Sequence, residues 1–341
     1  MSAVQVSFRK QGLSGSIGFM IQPFGNDGLP TSLKYFGKLY RDDSKAKNDY
    51  YNWDAHVRNT MSSLHYPSYD VGRSCKGKAF SLWVTELFEG PGNEVITFRD
   101  MVKSERYSVE QVCNFLDSAL GVLRRYWKQP FYQGPVDLID EYLPINRLKE
   151  DRVRNLESEL IAGLGLGGVW EPSPKERLAK HVHPAVVMGK NSKRCHGDFH
   201  ADNIIPRCFE DKLIPAFIDF SNTHPTKHYL TDHVALESDL IINGLDTANI
   251  ASFCDLLSFD AMPDRDLLQN QPPAFQKIFH LIMLIRKDAR ETYGADEGEY
   301  LSPALHKTLN LLSYGNYPSA EYERAIQYGR LLVKRLKNIL N

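Results

Sequence analysis

The sequence predicts an α+β protein of two lobes: a small N-terminal antiparallel sheet carrying one helix, then a large and mostly helical C-terminal lobe. Three observations predict it. Residues 3–41 are dominated by alternating, strand-like runs separated by glycine-bearing turns. A glycine- and proline-containing stretch, FEGPGNEV, then makes a natural hinge near residue 90. Beyond it, long segments of helical periodicity take over, interrupted by one short apolar run. The expected division is residues 1–90 for the first lobe and 91–341 for the second.

Each element follows from its local pattern. AVQVSFRK alternates and predicts the first strand, IGFMIQPF the second, and LKYFGKLYR the third. GNDG supplies the turn between the second and third. SKAKNDYYNWDAHVRNTMSSL has apolar residues at helical spacing behind Ser44 as an N-cap, and AFSLWVTEL reads as a buried strand. SVEQVCNFLDSALGVLRRYW predicts a long amphipathic helix capped by its serine. Residues 129–193 mix helical pieces such as RVRNLESELIAGL with Gly- and Pro-rich connections such as GLGLGGVWEPSPKE. LIPAFIDF is a buried strand. From HYLTDHVALESDLII to EYERAIQYGRLLVKRLKNIL the chain is mostly helical, the last helix packing its apolar face into a core.

Bulk composition narrows the function classes. With 341 residues, 42% hydrophobic and 24% charged, the chain can bury a large core and is not of disordered composition. A net charge of −1 gives no bulk electrostatic case for binding nucleic acid or a membrane surface. The cysteines, Cys75, Cys113, Cys195, Cys208 and Cys254, form no CxxC pair and read as reduced thiols. The start MSAVQVSFRK lacks the apolar core of a secretory signal, and no run approaches a membrane span, so a cytoplasmic location is expected.

The stretch RCHGDFHADNIIP, residues 194–206, concentrates the polar chemistry. Asp198 and Asn203 share one loop, and Asp219 ends the LIPAFIDF strand 21 residues after Asp198. A carboxylate to orient a hydroxyl, with an amide oxygen and a second carboxylate for a divalent ion, is what metal-assisted phosphoryl transfer needs. The competing reading is a polar turn that satisfies itself. His196 and His200 have the spacing of a zinc pair on a helix, but HGDFH lacks helical surroundings and the HExxH glutamate. A dinuclear phosphoesterase would need an upstream D-x-H and a downstream G-N-H-D/E set, and neither is present. Both histidines therefore read as scaffolding. Asp232, Glu237 and Asp239, on the following helix, read as structural residues that hold the loop, while His224, His228 and His233 are spaced too irregularly for metal ligands.

HGDFHADNI followed by AFIDF resembles the H-G-D-x-x-x-x-N and I-D-F signature of the kinase-like phosphotransferases, the superfamily of aminoglycoside phosphotransferases and choline kinases. The continuation SNTHPTKHYLTDHVALESDLI resembles a bacterial subgroup, the ternary complex-associated phosphotransferase-like domains. The resemblance implies a bilobal protein-kinase-like fold, ATP and Mg2+ as the nucleotide and metal, and transfer of the γ-phosphoryl group to a hydroxyl of a small molecule. It implies Asp198 as the base, and Asn203 and Asp219 as metal ligands. In the small lobe, QGLSGSIG stands where the family has its phosphate-covering loop, with Gly12, Gly15 and Gly18. Lys38 stands as the phosphate-binding lysine of the third strand, with Lys34 as second choice. The family's helix glutamate is absent; of Asp49 and Asp54, Asp54 fits the helical placement better. Glu86 and Phe88 are expected beside the adenine, mainly through main-chain groups. Acceptor specificity is expected from residues 129–193 and the C-terminal helices, which show no acidic cluster of the kind a polycationic aminoglycoside calls for beyond Asp137, Asp140 and Glu141 of DLIDEY. The alternative is a pseudokinase-like module that binds nucleotide, or nothing, and acts through a protein partner.

Overall fold

A computed structural model describes residues 3–11, 17–31, 34–41, 43–76, 80–87, 96–127, 136–142, 188–189, 191–192, 194–210, 212–257, 259, 265–312 and 319–340. The chain forms two compact units, Met1–Phe98 with Asp202–His224, and Arg99–Ala201 with Pro225–Asn341. The segment Asp202–His224 lies beyond the sequence-based boundary at residue 90, yet it packs with the first unit.

The first unit is built on a five-stranded antiparallel sheet. Its strands are β1 (Ala3–Gln11), β2 (Ile17–Phe24), β3 (Tyr35–Tyr40), β4 (Cys75–Lys76) and β5 (Ser81–Glu86), in the order β1-β2-β3-β5-β4. GNDG closes the turn after β2: the Gly25 N–H donates to the Leu29 carbonyl at 2.8 Å, and Gly28 takes φ 75°, which a side chain would resist. Helix α1 (Asp43–Asn52) runs into a π-helical turn, Trp53–Val57. It begins at Asp43, so Ser44 sits inside the first turn rather than ahead of it; periodicity alone does not fix a helix start to the residue. The buried face of this segment carries Asp49, Trp53 and Val57, one turn apart. Tyr50 stacks on Trp83 of β5 with ring centres 4.8 Å apart, and Trp53 meets Tyr69 at 5.1 Å, so aromatic rings fill the space between helix and sheet.

The hairpin of β6 (Ile204–Phe209) and β7 (Lys212–Phe217) completes this unit, with Ile204 opposite Phe217. Ile205 and Ala216 form its small apolar core with Ile218. Outside its own ladder, the hairpin is tied to segment 63–65: His65 Nδ1 meets the Pro215 carbonyl at 2.7 Å, and Arg207 donates to the Leu64 carbonyl at 3.2 Å.

The second unit is mostly helical, as the sequence predicts. Its helices are α2 (Phe98–Lys103, its first residue counted in the other unit), α3 (Val109–Tyr126), α4 (Leu138–Tyr142), α5 (Thr231–Gly244), α6 (Thr247–Leu256), α7 (Arg265–Gln269), α8 (Pro273–Tyr293), α9 (Glu297–Leu312) and α10 (Ser319–Leu340). α3 starts in a capping box: the Gln111 N–H donates to Ser108 Oγ at 3.2 Å, and the Ser108 N–H donates to Gln111 Oε1 at 2.8 Å. α5 is buried along nearly its whole length. Its fully buried Glu237 carboxylate accepts from Arg286 of α8 and from the hydroxyls of Tyr300 of α9 and Tyr328 of α10, each at 2.6 Å. One acid thus joins four helices, and its lone pairs are met by donors, which a buried charge requires. Among the described residues no helix is long and apolar enough to cross a membrane.

Candidate functional site

In the first unit the strand register and the hairpin bring three charges together. Lys38 lies in β3, opposite Gly18 of β2 and Trp83 of β5. Its ammonium donates to Asp219 Oδ2 at 2.7 Å and stands 3.8 Å from Asp49 Oδ2. Of the two candidate lysines, Lys38 is therefore the one beside Asp219; Lys34 precedes the strand and its carbonyl accepts from the Leu87 N–H at 3.0 Å.

Asp219 follows β7 in a left-handed conformation, φ 64° and ψ 71°, which is costly for a residue with a side chain. The turn is held on several sides. Ser221 Oγ donates to Asp219 Oδ1 at 2.9 Å, the Phe220 N–H donates to Asp49 Oδ1 at 2.8 Å, and the Asn52 amide donates to the carbonyls of Phe220 and Ser221 at 3.1 and 3.0 Å.

The helix carboxylate beside Lys38 is Asp49, at 3.8 Å, and not Asp54 as the sequence suggested. Asp54 projects from a different side of the helical segment, exposed, and pairs with Arg58 at 3.0 Å one turn on. Asp49 shares the buried face with Trp53 and Val57 and also accepts from Tyr40 at 3.1 Å. Burial pushes the Asp49 carboxyl above its ordinary range, against the pull of Lys38, and the hydroxyl of Tyr69 also hydrogen-bonds to it. Burial would lower the Lys38 ammonium, but Asp219 and Asp49 outweigh it and hold the lysine firmly charged.

Asn203 lies immediately before β6 and is buried; its carbonyl accepts from the Ile218 N–H at 3.1 Å. That bond extends the ladder by one step, so Asn203 and Asp219 leave the hairpin at the same end. An amide oxygen and a carboxylate are the hard donors that Mg2+ takes, alongside water and phosphate oxygens. The residues present fit that ion. No group of three or more His, Cys, Asp or Glu side chains suited to a metal occurs among the described residues, so the histidines of the loop form no such cluster. Glu86 ends β5 opposite Tyr35, and its N–H donates to the Ser68 carbonyl at 3.1 Å. Gly12, Gly15 and Phe88 lie outside the described residues.

In the second unit, residues 195–201 form a loop whose two ends are bound by α5. The N–H groups of His196 and Gly197 donate to the two oxygens of Asp232, each at 2.9 Å, and the Ala201 N–H donates to Asp239 Oδ2 at 2.8 Å. Asp232 and Asp239, seven residues apart, lie on one side of α5, while Glu237 points to another. Gly197 has φ 79°, which explains the glycine of the motif. Arg99 of α2 makes an ion pair with Asp239 at 2.6 Å, and Asn243 donates to it at 2.8 Å. Burial would raise the Asp239 carboxyl, but Arg99, His200 and the Ala201 N–H hold it below its usual value. Between the anchors stands Asp198, half-exposed, with His200 Nε2 3.9 Å from its carboxylate. His196 is fully buried, its ring 5.9 Å from Trp127 and 5.8 Å from Phe199. Most of residues 129–193, where acceptor specificity is expected, lies outside the described residues, as do the side chains of Asp137 and Asp140.

Sequence reasoning passed over Asn52, Tyr40 and Tyr69. The available signal was that Asp49 sits one turn before Trp53, on the apolar face, where a carboxylate needs buried donors.

Residues 119–315, more than half of the chain, match the family model described as ternary complex associated domain 9. No curated protein matches the sequence. Among solved structures, a microcompartment-associated aminopropanol kinase is 12% identical with a TM-score of 0.44, over 98% of this chain and 92% of that one. A glucosamine kinase in complex with glucosamine, ADP and inorganic phosphate is 15% identical with a TM-score of 0.48, over 100% of this chain and 84% of that one.

Proposed function

The chain belongs to the ternary complex associated domain 9 family, and on that premise we propose that it is an ATP- and Mg2+-dependent phosphotransferase of the kinase-like class, acting on a hydroxyl of a small molecule. The observation that carries the reading is the Lys38–Asp219 pair at 2.7 Å, an ammonium and a carboxylate 181 residues apart in sequence. Lys38 holds the nucleotide phosphates, with Asp49 beside it keeping the ammonium charged. Gly18 leaves the strand opposite Lys38 without a side chain, so the backbone can approach a phosphate there. Asn203 and Asp219 would hold the metal, whose charge would offset that of the phosphate oxygens when bound. Asp198 orients the acceptor hydroxyl and accepts its proton; the paired anchors on Asp232 and Asp239 fix the loop that carries it.

Calorimetry with Mg2+-ATP, followed by an ATP-consumption screen over hydroxylated small molecules, tests this. Asp198→Asn should bind Mg2+-ATP as the wild type does while turnover falls by about a thousandfold or more. Asn203→Ala should weaken Mg2+-dependent binding. Wild-type protein that binds no nucleotide would sink the reading. Binding without turnover on any acceptor would favour a nucleotide-binding module that acts through a partner.

A further inference from the structure

We propose that Asn52 is a positioning residue for Asp219, its amide fixing the left-handed turn that aims the Asp219 carboxylate at a bound cation. The inference rests on the reading of Asp219 as a metal ligand. Asn52 ends α1, and its Nδ2 donates to two successive carbonyls, Phe220 at 3.1 Å and Ser221 at 3.0 Å. Both partners are acceptors only, so the amide must present its NH2 group to them, and no carboxylate could replace it. One helical turn earlier, Asp49 takes the Phe220 N–H at 2.8 Å. Helix α1 thus grips both backbone polar groups of Phe220, which belong to the two peptide units flanking it, and the Ser221 carbonyl. This matters because the residue immediately before the grip, Asp219, is not glycine and yet has φ 64°. Such a conformation persists only where its surroundings over-determine it. Relaxing the turn would redirect the Asp219 side chain and release it from Lys38 and Ser221, its partners at 2.7 and 2.9 Å.

Hydrogen exchange on ligand-free protein, and calorimetry of ADP with and without Mg2+, test the inference on Asn52→Ala, Asn52→Asp and Asn52→Gln. In Asn52→Ala, exchange across residues 219–223 should quicken about tenfold while residues 204–217 exchange as before. The gain in ADP affinity given by Mg2+ should fall about tenfold, with metal-free ADP affinity retained. Asn52→Asp should be worse, since it sets a carboxylate against two carbonyl oxygens, and Asn52→Gln should recover part of the loss. Unchanged exchange at 219–223 overturns the inference whether or not nucleotide binds. An undiminished Mg2+ gain in Asn52→Ala overturns it as well. Wild-type protein that binds no ADP overturns the phosphotransferase reading and the cation role with it, while exchange still decides whether Asn52 holds the turn.

Discussion

At Lys38 one cation serves two carboxylates, Asp219 at 2.7 Å and Asp49 at 3.8 Å, and the balance is sensitive to any one of them. Lys38→Met leaves two acids facing each other beneath the sheet. Partial exposure of Lys38 and Asp219 screens the pair, so the expected cost is about 2 kcal/mol, below that of a fully buried bridge. Urea denaturation of wild type and variant measures it. Asp49→Ala removes the partner of Lys38, of the Phe220 N–H and of the Tyr40 hydroxyl, and should cost about 2–4 kcal/mol. Asp54→Ala breaks only an exposed pair with Arg58, worth about 0.3–0.5 kcal/mol. Equal effects of these two variants would contradict the assignment of Asp49. Lys38 was named from the resemblance and its place after the apolar run; strand alternation does not separate it from Lys34, four residues earlier and on the same face, and only the fold sets Lys38 beside Asp219. The choice between Asp49 and Asp54 was not legible either. Pattern reading places apolar residues inside, whereas Asp49 is inside because donors from distant segments meet it, Phe220 lying 171 residues away.

Helices and strands with strong periodicity and a terminal signal were readable as elements. Ser108 caps α3 as its sequence predicts, and Ser108→Ala should cost about 1 kcal/mol in urea denaturation, since the Gln111 N–H loses its acceptor and the reciprocal bond loses its geometry. A change below about 0.3 kcal/mol would show that packing alone sets the start of α3. The β6–β7 hairpin shows the opposite case. LIPAFIDF announces a buried strand, but the strand stops at Phe217, and Ile218 and Asp219 lie beyond it. What places Asp219 is the extra step from Ile218 to Asn203, followed by a left-handed turn that α1 holds from outside. A turn of that kind leaves no composition signal at a non-glycine position. Asp232 and Asp239 were legible as residues that hold the loop, but so was Glu237, which binds Arg286, Tyr300 and Tyr328 instead; which of the three take backbone N–H groups at its ends is decided by the phase of α5.

At the scale of the whole chain, one acid-sensitive part of the stability follows from two buried carboxylates of the second unit. Asp288 of α8 is buried, which would raise its carboxyl, but His233 at 2.8 Å and the Arg124 guanidinium hold it below the ordinary value. Asp239 is depressed likewise, by Arg99, His200 and the Ala201 N–H. The sign follows from proton binding. Above about pH 4, the ordinary value for Asp, both groups are ionised in folded and unfolded chains, and their stabilisation is fully present. As pH falls below that, the unfolded chain takes up protons first, and stability is lost until the folded carboxyls titrate. Each group contributes a slope of about 1.4 kcal/mol per pH unit inside that window. Trp127 follows α3 and is buried in this unit, so its fluorescence reports the transition once the other three tryptophans, Trp53, Trp83 and Trp170, are replaced by phenylalanine in the reference protein. Urea midpoints should be flat from pH 6 to 4.5 with respect to these two acids and should fall steeply below pH 4. Asp288→Asn in that background should lower stability at pH 6, because Arg124 and His233 lose a charged partner, yet should make the acid limb shallower by about one proton. An acid limb of unchanged slope would mean that Asp288 is not held ionised by Arg124 and His233, and the electrostatic account of this helix cluster would fail.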